Sequence, residues 1–190
     1  MMQKLFIDKK FKYDGSQLRP LYAYENFKIL GDSIVSWIGP CDVAFDHMID
    51  VEDKIENAKI CGDLMLHFII EFFGPDLTAG VTVQRLMASI IKDNIQDMTD
   101  YKFKLFRQGD DIYLFNESGH QKLSISIASR SSVSTMIHFA VNIINDGTPV
   151  KTTSLTDLGL KANDFAIKIM NDFSKEYDSI VIATKKVIPL

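Results

Sequence analysis

Two adjoining stretches restrict the fold of this chain more than any other feature. Leu64-Met-Leu-His-Phe-Ile-Ile-Glu-Phe-Phe73 is ten residues of almost unbroken apolar character, and from Thr78 to Asp97 the apolar residues recur at helical spacing. By periodicity alone, a run of that length fits a buried strand or a core helix equally well. Its β-branched and aromatic content, with Gly62 before it and Gly74-Pro75 after it, favours a strand. The next segment carries Val83, Leu86, Met87, Ile90, Ile91 and Ile95 on one stripe, and Asp76 or Thr78 stands ready to cap it. That spacing predicts a helix over 78–97, with Gln84 and Arg85 off the stripe and in solvent.

The remaining chain fits around this pair. Residues 3–13 read as an entry strand ending at the Asp14-Gly15 turn, and residues 27–39 as two strands or one bent strand, stopped by Gly39-Pro40. From Tyr101 to Ile144 the pattern is antiparallel β, with turns at Gly109-Asp-Asp and Asn116-Glu-Ser-Gly119. A last helix is predicted over 162–185, on the stripe Phe165, Ala166, Ile169, Met170, Phe173, Tyr177 and Ile180. The order predicts an α+β fold: an antiparallel or mixed sheet with helices packed on one face. With no repeat and no Pro/Gly/Ser-rich linker, residues 1–190 are expected to form a single domain.

Composition narrows the function classes. A net charge of −4 and four scattered arginines (Arg19, Arg85, Arg107, Arg130) disfavour a nucleic-acid partner. No apolar run approaches the roughly 20 residues that span a bilayer, and the first residues break into charge too soon for a signal peptide. No membrane partner is therefore expected, and the cytoplasm is the expected location. Cys41 and Cys61 lack a nearby second thiol in sequence and read as buried free thiols. A homodimer is left open.

The stretch from Gly119 to Ile143 reads as a hairpin carrying Lys122, His138 and Asn142 on otherwise apolar or small-residue strands. Leu123, Ile125 and Ile127 make one apolar face, while Lys122, Ser124, Ser126 and Ala128 make a second face with little bulk and room for something else. A three-residue turn at Arg130-Ser131-Ser132 would put Ser124 opposite His138 and Lys122 opposite Ala140, with Asn142 diagonal to the lysine. A two-residue loop would reverse which residues oppose each other. An ammonium held there could stabilise the oxygens of an acyl ester or acyl-adenylate; the alternative is a lysine snorkelling from a strand end.

Two further groups stand out. The segment from Asp42 to Asp53 is the most acidic in the chain and reads as a solvated turn and helix start. Its alternative is a divalent-ion site on Asp46, His47 and Asp50, joined by Glu71 in a metal-dependent hydrolase. His67 and Glu71 share a face on either a strand or a helix and are expected to be hydrogen-bonded neighbours, with ligand binding or proton transfer as the alternative.

Lys122-Leu-Ser-Ile, with Phe139-Ala-Val-Asn142-Ile after it, resembles the pattern of the biotin protein ligase, lipoate ligase and octanoyltransferase group. In that group a Lys-Ile-x-Gly strand supplies the active-site lysine and a Gly-[Ile/Leu]-Asn-Val strand follows. Gly62-Asp-Leu-Met-Leu-His-Phe-Ile-Ile-Glu71 is similar to the Gly-Gln-Leu-Val-Gly-Tyr-Pro-Ile-Leu-Asp strand that precedes a long helix in octanoyltransferases. The resemblance covers roughly residues 60–150. It implies a class II synthetase-like fold, Lys122 as the catalytic group, and Asp63, His67, His138 and Asn142 around the ligand. The ligand is left open between ATP with magnesium and an acyl or biotin-like molecule. The implied function is ligand binding or acyl and carboxylate transfer by adenylation.

The chain also departs from that group. No Arg-Arg-x-x-Gly-Gly-Gly loop precedes Gly62, Ser124 replaces the glycine after the lysine, and His138 stands where the group often has glycine. Thr153-Ser154-Leu155 occupies the place of the Pro-Cys-Gly nucleophile. These departures motivate the alternative of a non-catalytic binding or assembly protein with a degenerate pocket. Over its whole length the chain also resembles a family of short uncharacterised prokaryotic proteins, through Gly31-Asp-Ser-Ile-Val, Ile38-Gly-Pro-Cys41, Asp50-Val-Glu-Asp53, Met65-Leu-His-Phe68 and Gln84-Arg-Leu86.

Overall fold

The computed structural model describes residues 1–74, 76–117 and 119–188. Pro75 of the strand stop and Ser118 of the Asn116–Gly119 turn lie outside the described residues. In chain order the elements are β1 (Gln3–Ile7), α1 (Tyr22–Phe27), β2 (Ser33–Asp42), α2 (Val51–Glu56), β3 (Cys61–Phe73), α3 (Leu77–Met98), β4 (Leu105–Gln108), β5 (Asp111–Asn116), β6 (Gly119–Lys122), β7 (Ser124–Arg130), β8 (Ser134–Asn142) and α4 (Ala162–Ala183). One sheet has the order β1-β2-β3-β8-β7, and a smaller one the order β4-β5-β6. In the large sheet β1 and β2 run parallel and the other strand pairs antiparallel, so the sheet is mixed, as predicted.

The apolar run is the central strand β3, and it is buried because both of its faces are covered. Leu66, Phe68, Ile70 and Phe72 face a core completed by α3, α4 and the small sheet, including Met87, Ile91, Phe165 and Phe173. Met65 and Ile69 face a second core with Tyr13, Tyr22, Val35 and Trp37. The two long helices therefore sit on one face. The other is covered by the irregular chain around α1 and by the flanks of α2. The predicted entry strand ends at Ile7 because residues 8–29 leave the sheet edge to wrap over this second face.

The hairpin register differs from the expected one. Ser131 N–H donates to the Ser134 carbonyl, and the Ser131 hydroxyl accepts from Val133 and Ser134 N–H, so a serine-closed turn sits further along the chain than Arg130–Ser132. Ser124 then lies opposite Val141, and His138 opposite Ile127. Because strand faces alternate, this odd shift puts His138 on the Ile125/Ile127 face instead of the serine face. The face with little bulk is filled by α3, which approaches closely because Ser124, Ser126 and Ala128 are small; a Cβ at Gly80 would stand 2.5 Å from Thr135 Cγ2.

Gln84, expected in solvent, is buried at this contact. It lies four residues before Ala88 and shares the buried stripe with it. Its Nε2 donates to Asp110 Oδ2 and Ser126 Oγ, both at 2.8 Å, and the Ser126 hydroxyl donates to the same Asp110 oxygen at 2.7 Å. Gln84→Ala is expected to cost about 1–3 kcal/mol in chemical denaturation, since it strips a donor from a partly buried carboxylate. An unchanged midpoint would contradict this.

Candidate functional site

Lys122 closes β6 in the small sheet, where it pairs with Tyr113, and does not pair with β8. The chain changes sheets at Leu123, whose N–H donates to the Ile112 carbonyl in β5 while its own carbonyl accepts from Asn142 N–H in β8. This corrects the expected opposition of Lys122 and Ala140. Asn142 reaches the lysine's backbone instead: its Nδ2 donates to the carbonyls of Lys122 and Thr153, each at 3.2 Å. Lys122 N–H donates to the Lys151 carbonyl and its own carbonyl accepts from Thr153 N–H, so the backbone under the lysine is pinned on both sides.

The lysine looks into a cavity of about 480 Å³ between the second sheet face and the covering segments. Tyr13, Leu18, Val43, Ile60, Ile125 and Ile127 supply apolar wall, and Lys122, His138 and Asn142 supply polar wall. Three of the five residues predicted for the site are thus brought together. His67 lies one layer behind, through His138. Asp63 is exposed on β3 and does not line the cavity; its side chain packs on the turn at Gly147, where a Cβ would come within 2.1 Å of Asp63 Oδ1.

Charge around the lysine is mostly negative. Lys122 Nζ is paired with Asp111 at 2.8 Å, with both side chains about one-quarter exposed (28% and 25%), and Asp111 also accepts from the Tyr113 hydroxyl. The acidic residues Asp50, Glu52, Asp53, Asp110 and Asp111 line the cavity together with Lys59 and Lys122. Desolvation and then the neighbouring Asp50 raise the Asp53 pKa above the usual carboxylate value, and Lys122 pulls it back.

The buried histidines form a directed pair. His67 Nε2 lies 3.1 Å from the Gly39 carbonyl and must donate to it, which leaves Nδ1 bare; His138 Nε2, 3.1 Å away, donates to that atom. His138 Nδ1 is therefore an acceptor, and the ring stacks on Tyr13 with centroids 3.5 Å apart. Burial pushes His67 down to about 4, and burial with the proximity of His67 pushes His138 well below its usual range, so both rings are neutral.

His67 does not bond Glu71, as was expected. On a strand, four residues span roughly 13 Å, so the two share a face without touching. Glu71 instead accepts from Leu21 N–H at 2.8 Å and the Ser134 hydroxyl at 2.5 Å. The acidic segment forms a helix start: Asp50 caps α2 by accepting from the N–H groups of Glu52 and Asp53. His47 Nδ1 donates to the Asp14 carbonyl, and among the described residues no group of three or more His, Cys, Asp or Glu is arranged for a metal ion. Asp46, His47, Asp50 and Glu71 do not converge. Cys41 is buried and burial pushes its thiol up to about 12, whereas Cys61 is only half-buried. No helix among the described residues is long and apolar enough to cross a membrane.

Sequence reasoning missed Tyr13, Asp53 and Asp111. Tyr13 and Asp53 come from segments without apolar periodicity, and Asp111 was read as a turn residue. The one available signal was Asp50-Val-Glu-Asp53, a capping pattern whose fourth residue faces the cavity.

The sequence has known relatives and the fold known counterparts. The uncharacterised protein MJ0805 of Methanocaldococcus jannaschii is 34% identical over 196 residues, spanning 100% of this chain and 86% of the relative. A solved protein of unknown function from Pyrococcus horikoshi shares the structure at a TM-score of 0.93 and 34% identity, over 100% of both chains. At 10% identity, a mutant biotin protein ligase from Aquifex aeolicus in complex with biotin matches at a TM-score of 0.58, over 93% of this chain and 70% of that one. A bi-partite lipoate protein ligase from Thermoplasma acidophilum matches at 0.55 and 11% identity, over 92% and 84%. The two ligase matches show a shared fold, and the class II synthetase-like α+β architecture is thereby established. A family model described as a domain of unknown function, DUF366, matches residues 2–188, and this chain belongs to that family.

Proposed function

We propose that this protein binds an apolar small molecule carrying a carboxylate or acyl ester, with its oxygens at Lys122 and its body along Ile125 and Ile127. The observation that carries this reading is the partly buried Lys122 ammonium, on a backbone pinned from both sides, at the wall of a cavity that also offers the apolar side chains of Ile125 and Ile127. An ammonium has three N–H donors. One goes to Asp111, so two remain for ligand oxygens. Acyl transfer is the reaction class such a site serves, because the lysine would stabilise negative charge developing on oxygen. The excess of acidic over basic residues on this wall, five against two lysines, disfavours a nucleotide triphosphate, a polyanion that such charge repels. The Lys122–Asp111 pair favours, as a second reading, a protein that holds the carboxylate without reacting it.

Thermal unfolding with octanoate, lipoate, biotin and ATP tests the proposal. At ten times the dissociation constant, a bound acid is expected to add about 1.4 kcal/mol and raise Tm by about 3–5 °C, an effect lost in Lys122→Ala and absent with ATP. No stabilisation of the wild type by any acid, or full stabilisation of Lys122→Ala, would overturn it. Release of the alcohol or thiol from an ester or thioester of the bound acid, as its acyl group passes to an acceptor, would separate the transferring protein from the holding one.

A further inference from the structure

The polar groups of the cavity wall are unequal in what they still lack. Asp50, Asp110 and Asp111 are each satisfied by protein donors: backbone N–H at the α2 cap, Gln84 and Ser126, and Lys122 and Tyr113. The half-buried Asp53 carboxylate has no hydrogen bond or ion pair among the described residues. Two further wall groups are unpartnered and much more deeply buried. Tyr13 is 3% exposed and its hydroxyl has no protein partner; His138 is 2% exposed and its Nδ1, the acceptor left by the bond to His67, has none either. Neither atom is among the sealed orphans, which in the described residues are Ser33 Oγ, Ser36 Oγ and Thr153 Oγ1, so both keep access to space beside them.

Resting on the carboxylate-binding reading above, we infer that the ligand of this cavity is a zwitterion: an α-amino acid or α-aminoacyl group with an apolar side chain. Its carboxylate or ester oxygens take the free donors of Lys122, and its ammonium takes Asp53. Lys122 and Asp53 line the same cavity, and the lysine's charge acts on the Asp53 carboxylate, so one small ligand can present an anion to the first and a cation to the second. The two remaining N–H groups of the ammonium match the acceptors His138 Nδ1 and the Tyr13 oxygen, and the side chain lies on Ile125 and Ile127. A simple fatty acid would leave Asp53 and both buried acceptors without a partner, which disfavours it.

Calorimetric titration of 2-aminooctanoate, 2-hydroxyoctanoate and octanoate into the wild type and Asp53→Asn tests this. The carbon chain is constant, so the comparison isolates the amine. The expected result is at least about tenfold tighter binding of 2-aminooctanoate than of either other acid, with the preference gone in Asp53→Asn. Octanoate binding as tightly as the amino acid would overturn the inference and leave the carboxylate-binding reading standing, as would an unchanged preference in Asp53→Asn. No binding of any of the three would remove both. The Asp53 side chain makes no described contact, so the variant is expected to unfold at the wild-type temperature, which the same samples check.

Discussion

Gly39→Ala is expected to cost on the order of 3–5 kcal/mol, a large share of the roughly 5–15 kcal/mol that holds an ordinary domain folded. The chain crosses itself at this residue. A Cβ on Gly39 would stand 1.8 Å from the Phe11 carbonyl oxygen and 2.8 Å from its carbon, and both are backbone atoms that no rotamer change can move aside. The crossing is also anchored. Trp37 Nε1 donates to that carbonyl at 3.1 Å, the Phe11 ring stacks on Trp37 with centroids 4.5 Å apart, and the Gly39 carbonyl receives the His67 proton. Pushing Phe11 away would therefore break the indole bond and loosen the cover over the second core. Urea denaturation of the variant measures the loss; a stability within about 1 kcal/mol of wild type would show that the crossing can relax.

Acid is expected to weaken the fold before its carboxylates begin to protonate. An unfolded histidine takes up a proton near 6.5, whereas His67 in the folded protein holds off until about 4. As pH falls through 6.5, the unfolded chain gains a proton that the native one refuses, so stability drops through this window and levels off near 4. For His67 alone the loss is about 2 kcal/mol at pH 5 and roughly 3 kcal/mol at pH 4. His138, shifted in the same direction, adds to it. Chemical denaturation at pH 7, 6 and 5 measures this directly; a stability unchanged from pH 7 to 5 would contradict the buried neutral pair.

How far the chain could be read from its residues depended on whether a side chain's environment comes from its own element or from a distant one. β3, α3 and α4 were legible because their apolar periods describe their own burial. The short helix α1 and the wrap over residues 8–29 were not, because they lack a period and are held by what they cover, as when Tyr13 stacks on His138. Lys122 stood out because charge on a strand is costly without a purpose. Its partner Asp111 looked like part of a turn until the small sheet brought the two within 2.8 Å. The serine face of β7 was correctly seen as roomy, but one sequence offers no way to tell a helix from a ligand as its occupant. Gln84 decided for the helix.

The central claim is that Lys122 holds the acidic group of a ligand inside this cavity. Isothermal titration of octanoate into the wild type and Lys122→Met, which keeps the apolar stem and removes the charge, tests it most directly. A charge-assisted hydrogen bond contributes about 1.5–3 kcal/mol, so the variant should bind at least about tenfold more weakly. Equal affinity in the two proteins, or a wild type that binds neither octanoate nor 2-aminooctanoate, would contradict the account.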